Sequence, residues 1–294
     1  MQRLLLDTSS LMYRAYFALP DSITDPKGRP VNALHGYLDM TARLVRDRRP
    51  GEVIHALDDD WRPAPRVAVY APYKATRPVE PSDLTRQFRE LLKVLDAAGM
   101  PWARAVGWEA EDAIGSVVAT GRRGDRFEIV TGDRDLIQLV RDPAVRVLLT
   151  RRGVSDLEEL DERGVLRRFG VPAARYADFA ILRGDPSDEL PGVRGVGEKT
   201  ARELVKAYPS LEAIQAEAAG TKRTKAVLQR SPALRARIAA AEDYLDAMKQ
   251  VVPIRTDLEV EIHRVDADEA AGDRQAKRLG LTGPLRRLRM AMAG

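Results

Sequence analysis

The chain has 294 residues, enough for one or two domains with a full hydrophobic core. Hydrophobic residues make up 44% and charged residues 31% of the chain, which is typical of a water-soluble globular protein. The absence of cysteine excludes disulfides, thiolate metal sites and a cysteine nucleophile, and the 3 histidines form no zinc motif. The net charge of +4 permits a polyanionic partner without requiring one.

Short apolar runs that end at acidic residues alternate with amphipathic helices through the first half of the chain. Strands are predicted at residues 4–6, 53–57, 102–106, 127–131 and 145–150. Helices are predicted from about residue 11 and over 32–48, 82–98 and 111–120, whereas the proline-punctuated stretch 61–81 is predicted to be irregular or only partly helical. This alternation favours an α/β fold with a central, mostly parallel sheet flanked by helices.

The apolar spacing becomes helical almost throughout after residue 150, apart from a short extended segment predicted at 252–260. We therefore expect an α/β core over residues 1–165 and a helical subdomain over 166–294. Residues after about 260 show no pattern that indicates a function. The N-terminal segment MQRLLLD is too short and wrongly flanked for a signal peptide, and no apolar run is long enough for a membrane span, so we expect a cytoplasmic location.

Acidic side chains follow several of the predicted strands. Asp7, Asp58 and Asp133 stand at strand ends, an edge where sites form in open α/β sheets. Further acids follow in close pairs or triplets: Glu109, Glu111, Asp112, Asp135, Asp185 and Asp188. Carboxylates that lie close together raise each other's pKa, and bound divalent cations offset the repulsion between them. Any one of these acids alone is better explained as a cap or turn residue, but the whole pattern predicts a site for two Mg²⁺ or Mn²⁺ ions.

Two further elements indicate a polyanionic ligand. Arg14, Tyr73, Lys74 and Arg77 could engage a phosphate, although each basic residue alone is better explained as a solvated surface side chain. The second element is a glycine-rich stretch before a helix that begins near Glu198, and it contains Gly192, Gly195, Gly197, Lys199 and Thr200. It is neither a P-loop nor a dinucleotide fingerprint, and it predicts a hairpin that grips a nucleic-acid backbone without reading bases. A purely structural glycine-rich connection is the alternative.

These residues lie in segments that resemble the 5′-nuclease (5′–3′ exonuclease) domain of bacterial DNA polymerase I, and hence the flap endonuclease superfamily. The segments occur in family order over roughly residues 1–260: LLLDTSSLMYRAYFALP, YKATRP, GWEAEDAIGSVV, TGDRDLIQLV and GDPSDELPGVRGVGEKTA. The chain resembles a free-standing member, without polymerase or proofreading segments. The resemblance implies a PIN-like nuclease core with a helical arch near 61–98. It also implies a helix–three-turn–helix (helix-hairpin-helix-like) DNA-binding subdomain with its hairpin at 191–200.

The resemblance also implies roles for single residues. Asp7, Asp58, Glu109 and Glu111 would hold one ion, and Asp133, Asp135, Asp185 and Asp188 the other, with Asp112 between them. Lys74 matches the family's arch lysine, and Arg14, Tyr73 and Arg77 match its phosphate- and substrate-engaging residues; Lys74, Arg14 and Asp112 are the catalytic candidates. The hairpin 192–200 would bind duplex DNA through a K⁺ ion.

Two positions depart from the family pattern. Glu111 stands where the family usually has Asp, which lengthens the side chain and keeps its charge. The second-strand acid is either Asp58, which ends the predicted strand, or Asp59, which keeps the family's spacing to Arg66 and Lys74. Strand register favours Asp58.

The implied activity is that of a Mg²⁺- or Mn²⁺-dependent, structure-specific 5′ nuclease. Its substrates would be 5′ flaps, branched or nicked duplexes and RNA–DNA primers, in primer and flap removal during replication and repair, with a functional link to a DNA polymerase and a ligase. One alternative is a non-catalytic protein that binds branched DNA on the same fold, which the presence of Asp185 and Asp188 opposes. Another is a PIN-like ribonuclease, which the hairpin opposes.

Overall fold

A seven-stranded sheet organises the chain in a computed structural model, which describes residues 1–220 and 226–293. Its strands are β1 (Gln2–Asp7), β2 (Glu52–Ala56), β3 (Trp102–Arg104), β4 (Arg126–Thr131), β5 (Val145–Thr150), β6 (Leu157–Leu160) and β7 (Glu261–His263), in the spatial order β6-β5-β4-β1-β2-β3-β7. Strands β1 to β5 pair in parallel, and β6 and β7 pair antiparallel at the two edges. The predicted α/β fold with a mostly parallel sheet is confirmed.

The sheet is covered on both faces, which explains the continuous apolar run of its central strand. Leu4 and Leu6 of β1 lie in the core on one face, and Leu5 lies in the core on the other. Alternate side chains of a strand point to opposite faces, so a parallel strand buried on both sides has no polar positions. The three leucines before Asp7 therefore specify the middle of the sheet.

Helices of the first half of the chain pack on this sheet. They are α1 (Thr8–Ala18), α2 (Asn32–Arg48), α3 (Ala64–Val69), α4 (Ser82–Ala98) and α5 (Ala110–Ala119). The predicted boundaries of α2 and α4 are confirmed, and α3 is the short helical part of the proline-rich stretch. Helix α1 begins directly after β1 because the Asp7 carboxylate accepts a hydrogen bond from the Ser10 amide and so caps its first turn.

The second half of the chain is mainly helical. Its helices are α6 (Glu162–Phe169), α7 (Tyr176–Arg183), α8 (Glu198–Ala207), α9 (Leu211–Ala218), α10 (Ala226–Gln229), α11 (Pro232–Ala239), α12 (Glu242–Val251), α13 (Glu269–Leu279) and α14 (Thr282–Ala293). None of the helices among the described residues is both long and apolar enough to cross a membrane. Leu285 and Leu288 of α14 join the core beside α2, so the end of the chain returns to the sheet. The division near residue 165 stays a prediction.

Two strands differ from the sequence-based expectation. β6 lies in a region predicted to be helical, because its sequence Leu-Glu-Glu-Leu has no strand pattern and pairing with β5 makes it a strand. The extended segment expected at 252–260 is not a strand, and β7 follows it at Glu261–His263. Both strands are short and lie at sheet edges, where tertiary pairing outweighs local propensity.

Residues 252–258 cross α5 closely and connect the helical half of the chain to the sheet. The Arg255 amide donates to Asp112 Oδ1 at 2.9 Å, and the Leu258 amide donates to the Ser116 hydroxyl at 3.2 Å. Gly115 makes the crossing feasible, because a Cβ there would lie 2.5 Å from the Arg255 carbonyl oxygen. The absence of a side chain at residue 115 thus allows the crossing segment to reach Asp112.

Gly115→Ala should lower the free energy of unfolding by about 1–3 kcal/mol, because the new methyl group meets backbone that cannot move aside. Urea denaturation measures the change. Gly283→Ala in α14 is the matched control, since its Cβ would meet only the flexible end of the Arg287 side chain, at 3.3 Å. There an alanine should leave stability unchanged or raise it. Equal effects of the two substitutions would contradict the close crossing.

Candidate active site

The carboxyl ends of three adjacent strands place acids side by side. Asp7 ends β1, Asp58 comes two residues after β2, and Asp133 comes two residues after β4. Asp7 Oδ2 accepts a hydrogen bond of 2.6 Å from the Thr131 hydroxyl of β4. Burial, with Asp58 and Asp133 nearby, raises the pKa of Asp7 to about 7. This edge of the sheet therefore concentrates negative charge in a site with little water.

Asp58 and Asp59 point to different neighbours. Asp58 Oδ1 accepts a hydrogen bond of 2.7 Å from the Ala110 amide at the start of α5, and burial together with Glu109 raises its pKa. Asp59 instead accepts from the Gly107 amide at 2.7 Å and from the Arg104 guanidinium at 3.2 Å. Of this pair, Asp58 is therefore the one that adjoins the other acids.

The first turn of α5 supplies more carboxylates. Oxygens of Glu109, Glu111 and Asp112 lie within 4.8 Å of one another, and so do oxygens of Glu111, Asp133 and Asp135. Glu111 belongs to both groups, which makes the two groups adjoin. Burial and the neighbouring Glu109 raise the pKa of Glu111 well above its ordinary value. We refer to these residues, with Asp7 and Asp58, as the acidic cluster.

Arg66 of α3 is a member of this site that sequence analysis did not identify. Its side chain is only 2% exposed, and its guanidinium pairs with Glu109, with Glu111 at 3.0 Å and with Asp112 at 2.8 Å. The rings of Tyr73 and Trp108 flank it, each with its centroid 5.8 Å away. In the sequence, Arg66 served only as a reference position for the family spacing, and an arginine in a proline-rich stretch otherwise reads as a surface residue.

Lys74 and Arg77 approach the cluster from the segment between α3 and α4. Lys74 is buried, and its ammonium group pairs with Glu109 and lies 3.7 Å from Asp188 Oδ2. Although burial raises the pKa of Glu109, Lys74 and Arg66 hold that pKa below its ordinary value. Arg77 donates to Asp188 Oδ1 at 2.5 Å. Of the three predicted cations, the structure thus places Lys74 and Arg77 against carboxylates of the site.

Tyr73 and Arg14 occupy different surroundings from these cations. The Tyr73 side chain is buried, and its hydroxyl donates to Glu109 at 2.7 Å. Arg14 lies away from the carboxylates and donates to the carbonyl oxygens of Thr150 and Arg151, at 3.4 and 3.3 Å. It lines an open pocket of about 410 Å³ beside Gly132, together with residues of α1. Arg14 is therefore placed at the rim of the cluster.

Asp185 and Asp188 lie in the loop 185–190, which closes on itself. The Asp185 amide donates to the Leu190 carbonyl at 2.8 Å, and the Leu190 amide donates back at 2.9 Å. The Asp185 carboxylate caps this turn by accepting from the Ser187 amide and hydroxyl, whereas Asp188 is buried against Lys74 and Arg77. Burial, with the charges of Asp133, Asp188 and Asp185, raises the pKa of Asp135 well above its ordinary value.

The glycine-rich hairpin follows this loop directly. Gly192 has φ +69°, and a side chain there would collide with the backbone of Arg183 and Gly184. Gly195 has φ +74°, and Gly197 precedes the first turn of α8. Of the five residues predicted to contact DNA here, Gly195, Gly197 and Lys199 are exposed, whereas Gly192 and Thr200 are partly buried. Gly192 therefore allows the backbone to pack closely, and the later residues face solvent at a helix N-terminus.

The donor set of the acidic cluster fits hard divalent cations. All its ligand atoms are oxygens, the ligand type that Mg²⁺ and Mn²⁺ prefer. Asp112 is fully buried, and its Oδ2 has no hydrogen-bond partner within the described residues. A buried carboxylate oxygen is rarely left without a partner, and a cation supplies one. The electrostatics point the same way, since burial and then repulsion among the acids raise the pKa of Glu111 and Asp135 well above their ordinary values.

Comparison with protein families finds two matches that together span most of the chain. Residues 2–170 match the model described as "5'-3' exonuclease, N-terminal resolvase-like domain", and residues 171–275 match "5'-3' exonuclease, C-terminal SAM fold". A 5'-3' exonuclease of Streptomyces coelicolor is 42% identical over 97% of this chain and 98% of its own length. A 5'-3' exonuclease of Mycobacterium tuberculosis is 40% identical over 98% of this chain and 96% of its own length.

Longer relatives and solved structures agree with these matches. The DNA polymerase I of Mycobacterium bovis is 40% identical over 72% of this chain, which corresponds to 23% of that protein. The T5 D15 protein co-crystallised with metal ions has a TM-score of 0.65 at 17% identity and covers 100% of this chain and 99% of its own. Human GEN1 in complex with Holliday junction DNA has a TM-score of 0.66 at 15% identity over 99% of this chain and 71% of its own. These structures show the shared PIN-like, flap-nuclease fold.

Arg66→Gln should lower the free energy of unfolding by about 3–5 kcal/mol in the presence of a chelator, because it removes the buried guanidinium that pairs with Glu109, Glu111 and Asp112, while Lys74 still pairs with Glu109. Chemical denaturation measures this change. Arg104→Gln is the control, since Arg104 also pairs with two acids but at the surface, where the expected loss is at most about 1 kcal/mol. A loss as small for Arg66 as for Arg104 would show that the cluster does not depend on the buried guanidinium.

Proposed function

We propose, since the chain belongs to the 5′–3′ exonuclease family and is therefore a nuclease, that it hydrolyses phosphodiesters of branched or 5′-ended DNA with two divalent metal ions. The observation that carries this proposal is the pair of adjoining carboxylate groups that share Glu111 at one sheet edge, beside the buried Lys74. Adjoining oxygen-only groups suit two hydrated cations about 4 Å apart, an arrangement used for phosphodiester hydrolysis.

We assign Asp7, Asp58, Glu109 and Glu111 to one Mg²⁺ or Mn²⁺ ion and Asp133, Asp135, Asp185 and Asp188 to the other, with Asp112 between them. When bound, such ions supply an activated water for attack on the phosphodiester and offset charge on the leaving oxygen. Asp7 is held for this task by the Thr131 hydroxyl and the Ser10 amide. Glu109 is oriented by Arg66, Tyr73 and Lys74 together.

The cations beside the cluster would act on the phosphate itself. Lys74 and Arg77 lie against Asp188 and Glu109, within reach of a phosphate seated on those carboxylates. A preorganised cation stabilises the negative charge that develops as the bond breaks. Arg14 at the rim would hold a neighbouring phosphate of the same strand. Tyr73, by contrast, would contribute through its hydrogen bond to Glu109 rather than by touching DNA.

The hairpin 191–200 would hold the duplex part of the substrate. Gly195, Gly197 and Lys199 are exposed before the first turn of α8, where free amides and a lysine suit a phosphate backbone. Binding of this kind is independent of base sequence and falls with rising salt. Flap and primer removal during replication and repair, alongside a polymerase and a ligase, is the setting that such an activity suits.

The purified protein should cut a labelled 5′ flap near the junction of single strand and duplex with Mg²⁺ or Mn²⁺, and EDTA should stop the reaction. Asp133→Asn should reduce the rate at least about a hundredfold, because it removes a charge where a metal must bind, while flap binding is largely retained. Gel-based cleavage and a binding assay in Ca²⁺ measure the two quantities. Tight binding without cleavage under any metal would contradict the proposal, and cleavage of RNA alone would favour a ribonuclease.

A second experiment uses the neighbouring acids after β2. Asp58→Asn should lower the cleavage rate by about a hundredfold or more, since Asp58 adjoins the other carboxylates. Asp59→Asn is the matched control and should stay within about threefold of wild type, because Asp59 pairs with Arg104 away from the cluster. Titration of the cleavage rate with Mn²⁺ separates weaker metal binding from slower hydrolysis. The opposite order of effects would assign the ligand to Asp59.

A further inference from the structure

Two stretches that are distant in sequence meet beside the acidic cluster. Segment 70–77 carries Lys74 and Arg77, and loop 185–190 carries Asp185 and Asp188. The charged ends of the two stretches are paired, with Lys74 Nζ 3.7 Å and Arg77 Nη2 2.5 Å from the Asp188 carboxylate. The relative placement of the two stretches therefore decides where the cations stand with respect to the carboxylates.

These ion pairs cannot by themselves maintain that placement during the reaction. In the proposed function, on which this inference rests, Lys74 and Arg77 give up part of their attraction to Asp188 in favour of a phosphate. An ion pair weakens when either partner gains a competing charge. A second set of contacts, which does not use the reacting charges, is needed to keep segment 70–77 in register with loop 185–190.

Glu189 supplies such contacts. Its Oε1 accepts a hydrogen bond from the Thr76 hydroxyl and one of 3.3 Å from the Thr76 amide. Its backbone carbonyl accepts from the Tyr70 hydroxyl at 3.2 Å. The Lys74 amide adds a bond of 3.3 Å to the Asp188 carbonyl. None of these bonds involves the ammonium, guanidinium or carboxylate groups assigned to the reaction.

Backbone strain marks the same contact from both sides. Glu189 has φ +56° and Lys74 has φ +51°, in the left-handed region that residues other than glycine rarely adopt. Within the described residues, Arg49 is the only other non-glycine residue with positive φ. Such strain persists where the surrounding contacts hold it, and it concentrates at functional sites. Here the holding contacts are those between Glu189, Thr76 and Tyr70.

We propose that Glu189 is a positioning residue of the hydrolytic reaction. Its hydrogen bonds to Thr76 hold segment 70–77 against loop 185–190. Lys74 and Arg77 therefore keep their position beside the carboxylates when a phosphate competes for their ion pairs. The acidic side chain of Glu189 thereby has a different role from those of Asp185 and Asp188, which the proposed function assigns to a metal ion. Glu189 thus positions Lys74 and Arg77 indirectly, through its hydrogen bonds to the backbone amide and the hydroxyl of Thr76.

The test compares Thr76→Val, Glu189→Ala and Glu189→Gln in metal-dependent flap cleavage. Thr76→Val and Glu189→Ala should each lower kcat about tenfold, since misplacing a reacting group by even 1 Å is costly, and leave KM within about twofold. Glu189→Gln should keep most of the rate, because its amide oxygen can accept the same bonds. Thr85→Val is the matched control, since it removes a Thr–Glu bond of 2.6 Å, to Glu80, that does not involve loop 185–190.

Two further readouts distinguish positioning from a general structural role. The double variant Thr76→Val/Glu189→Ala should be no slower than Glu189→Ala alone, because both changes remove one interaction. Amide hydrogen exchange in a chelator should be faster over residues 70–77 in both single variants, with the thermal midpoint little changed. This measurement requires neither metal nor cleavage.

The outcomes separate this inference from the proposed function. If the wild type leaves flaps uncut with Mg²⁺ and Mn²⁺, the proposed function fails and the positioning role fails with it. If the wild type cuts and Thr76→Val and Glu189→Ala cut equally fast, the positioning role alone is wrong. Additive losses in the double variant, or a Glu189→Gln enzyme as slow as Glu189→Ala, would also overturn it.

Discussion

Repulsion among carboxylates at one edge of a parallel sheet is the constraint around which this molecule is organised. Parallel strands deliver their carboxyl ends to the same edge, so Asp7, Asp58 and Asp133 cannot be separated without breaking the fold. Like charges in a water-poor site raise each other's pKa, as at Glu111. Two buried cations of the chain, Arg66 and Lys74, offset part of this repulsion, and both pair with Glu109 at the start of α5. Divalent ions would supply the rest of the compensating charge.

Three of the acids, Asp7, Asp58 and Asp133, could be placed at one sheet edge from the sequence because each follows a predicted strand. An apolar run that ends in Asp predicts a buried strand with an acid at its carboxyl end. The same reasoning from strand register favoured Asp58 over Asp59 as the acid of the second strand. The geometry places Asp58 against the start of α5 and Asp59 against Arg104. The apolar periodicity also predicted both boundaries of α2 and of α4 correctly, since each is a long amphipathic helix.

Arg66 and Glu189 were not predictable in this way. Arg66 owes its importance to burial between carboxylates that are 43 to 46 residues away in sequence, and nothing local distinguishes it from a solvated arginine. Glu189 adopts a left-handed conformation that its side chain does not favour, and the contacts that hold it come from Tyr70 and Thr76. β6 has the same origin, since pairing with β5 overrides a sequence without strand pattern. Arg66, Glu189 and β6 all depend on contacts between residues far apart in sequence, which a local sequence pattern does not indicate.

In the proposed function, the position of the hairpin relative to the cluster would combine recognition that is independent of base sequence with a defined cleavage position. Gly184 and Gly192 lie backbone to backbone, and between them the chain makes only the tight turn that carries Asp185 and Asp188. A duplex held at the exposed end of the hairpin would therefore stand at a set distance from carboxylates on the same stretch of chain. The Tyr244 hydroxyl reinforces this stretch by accepting from the Gly192 amide and donating to the Ile181 carbonyl. Specificity for DNA shape rather than base sequence follows from such an arrangement, because the distance is set by the protein backbone and the contacts on DNA are to phosphates.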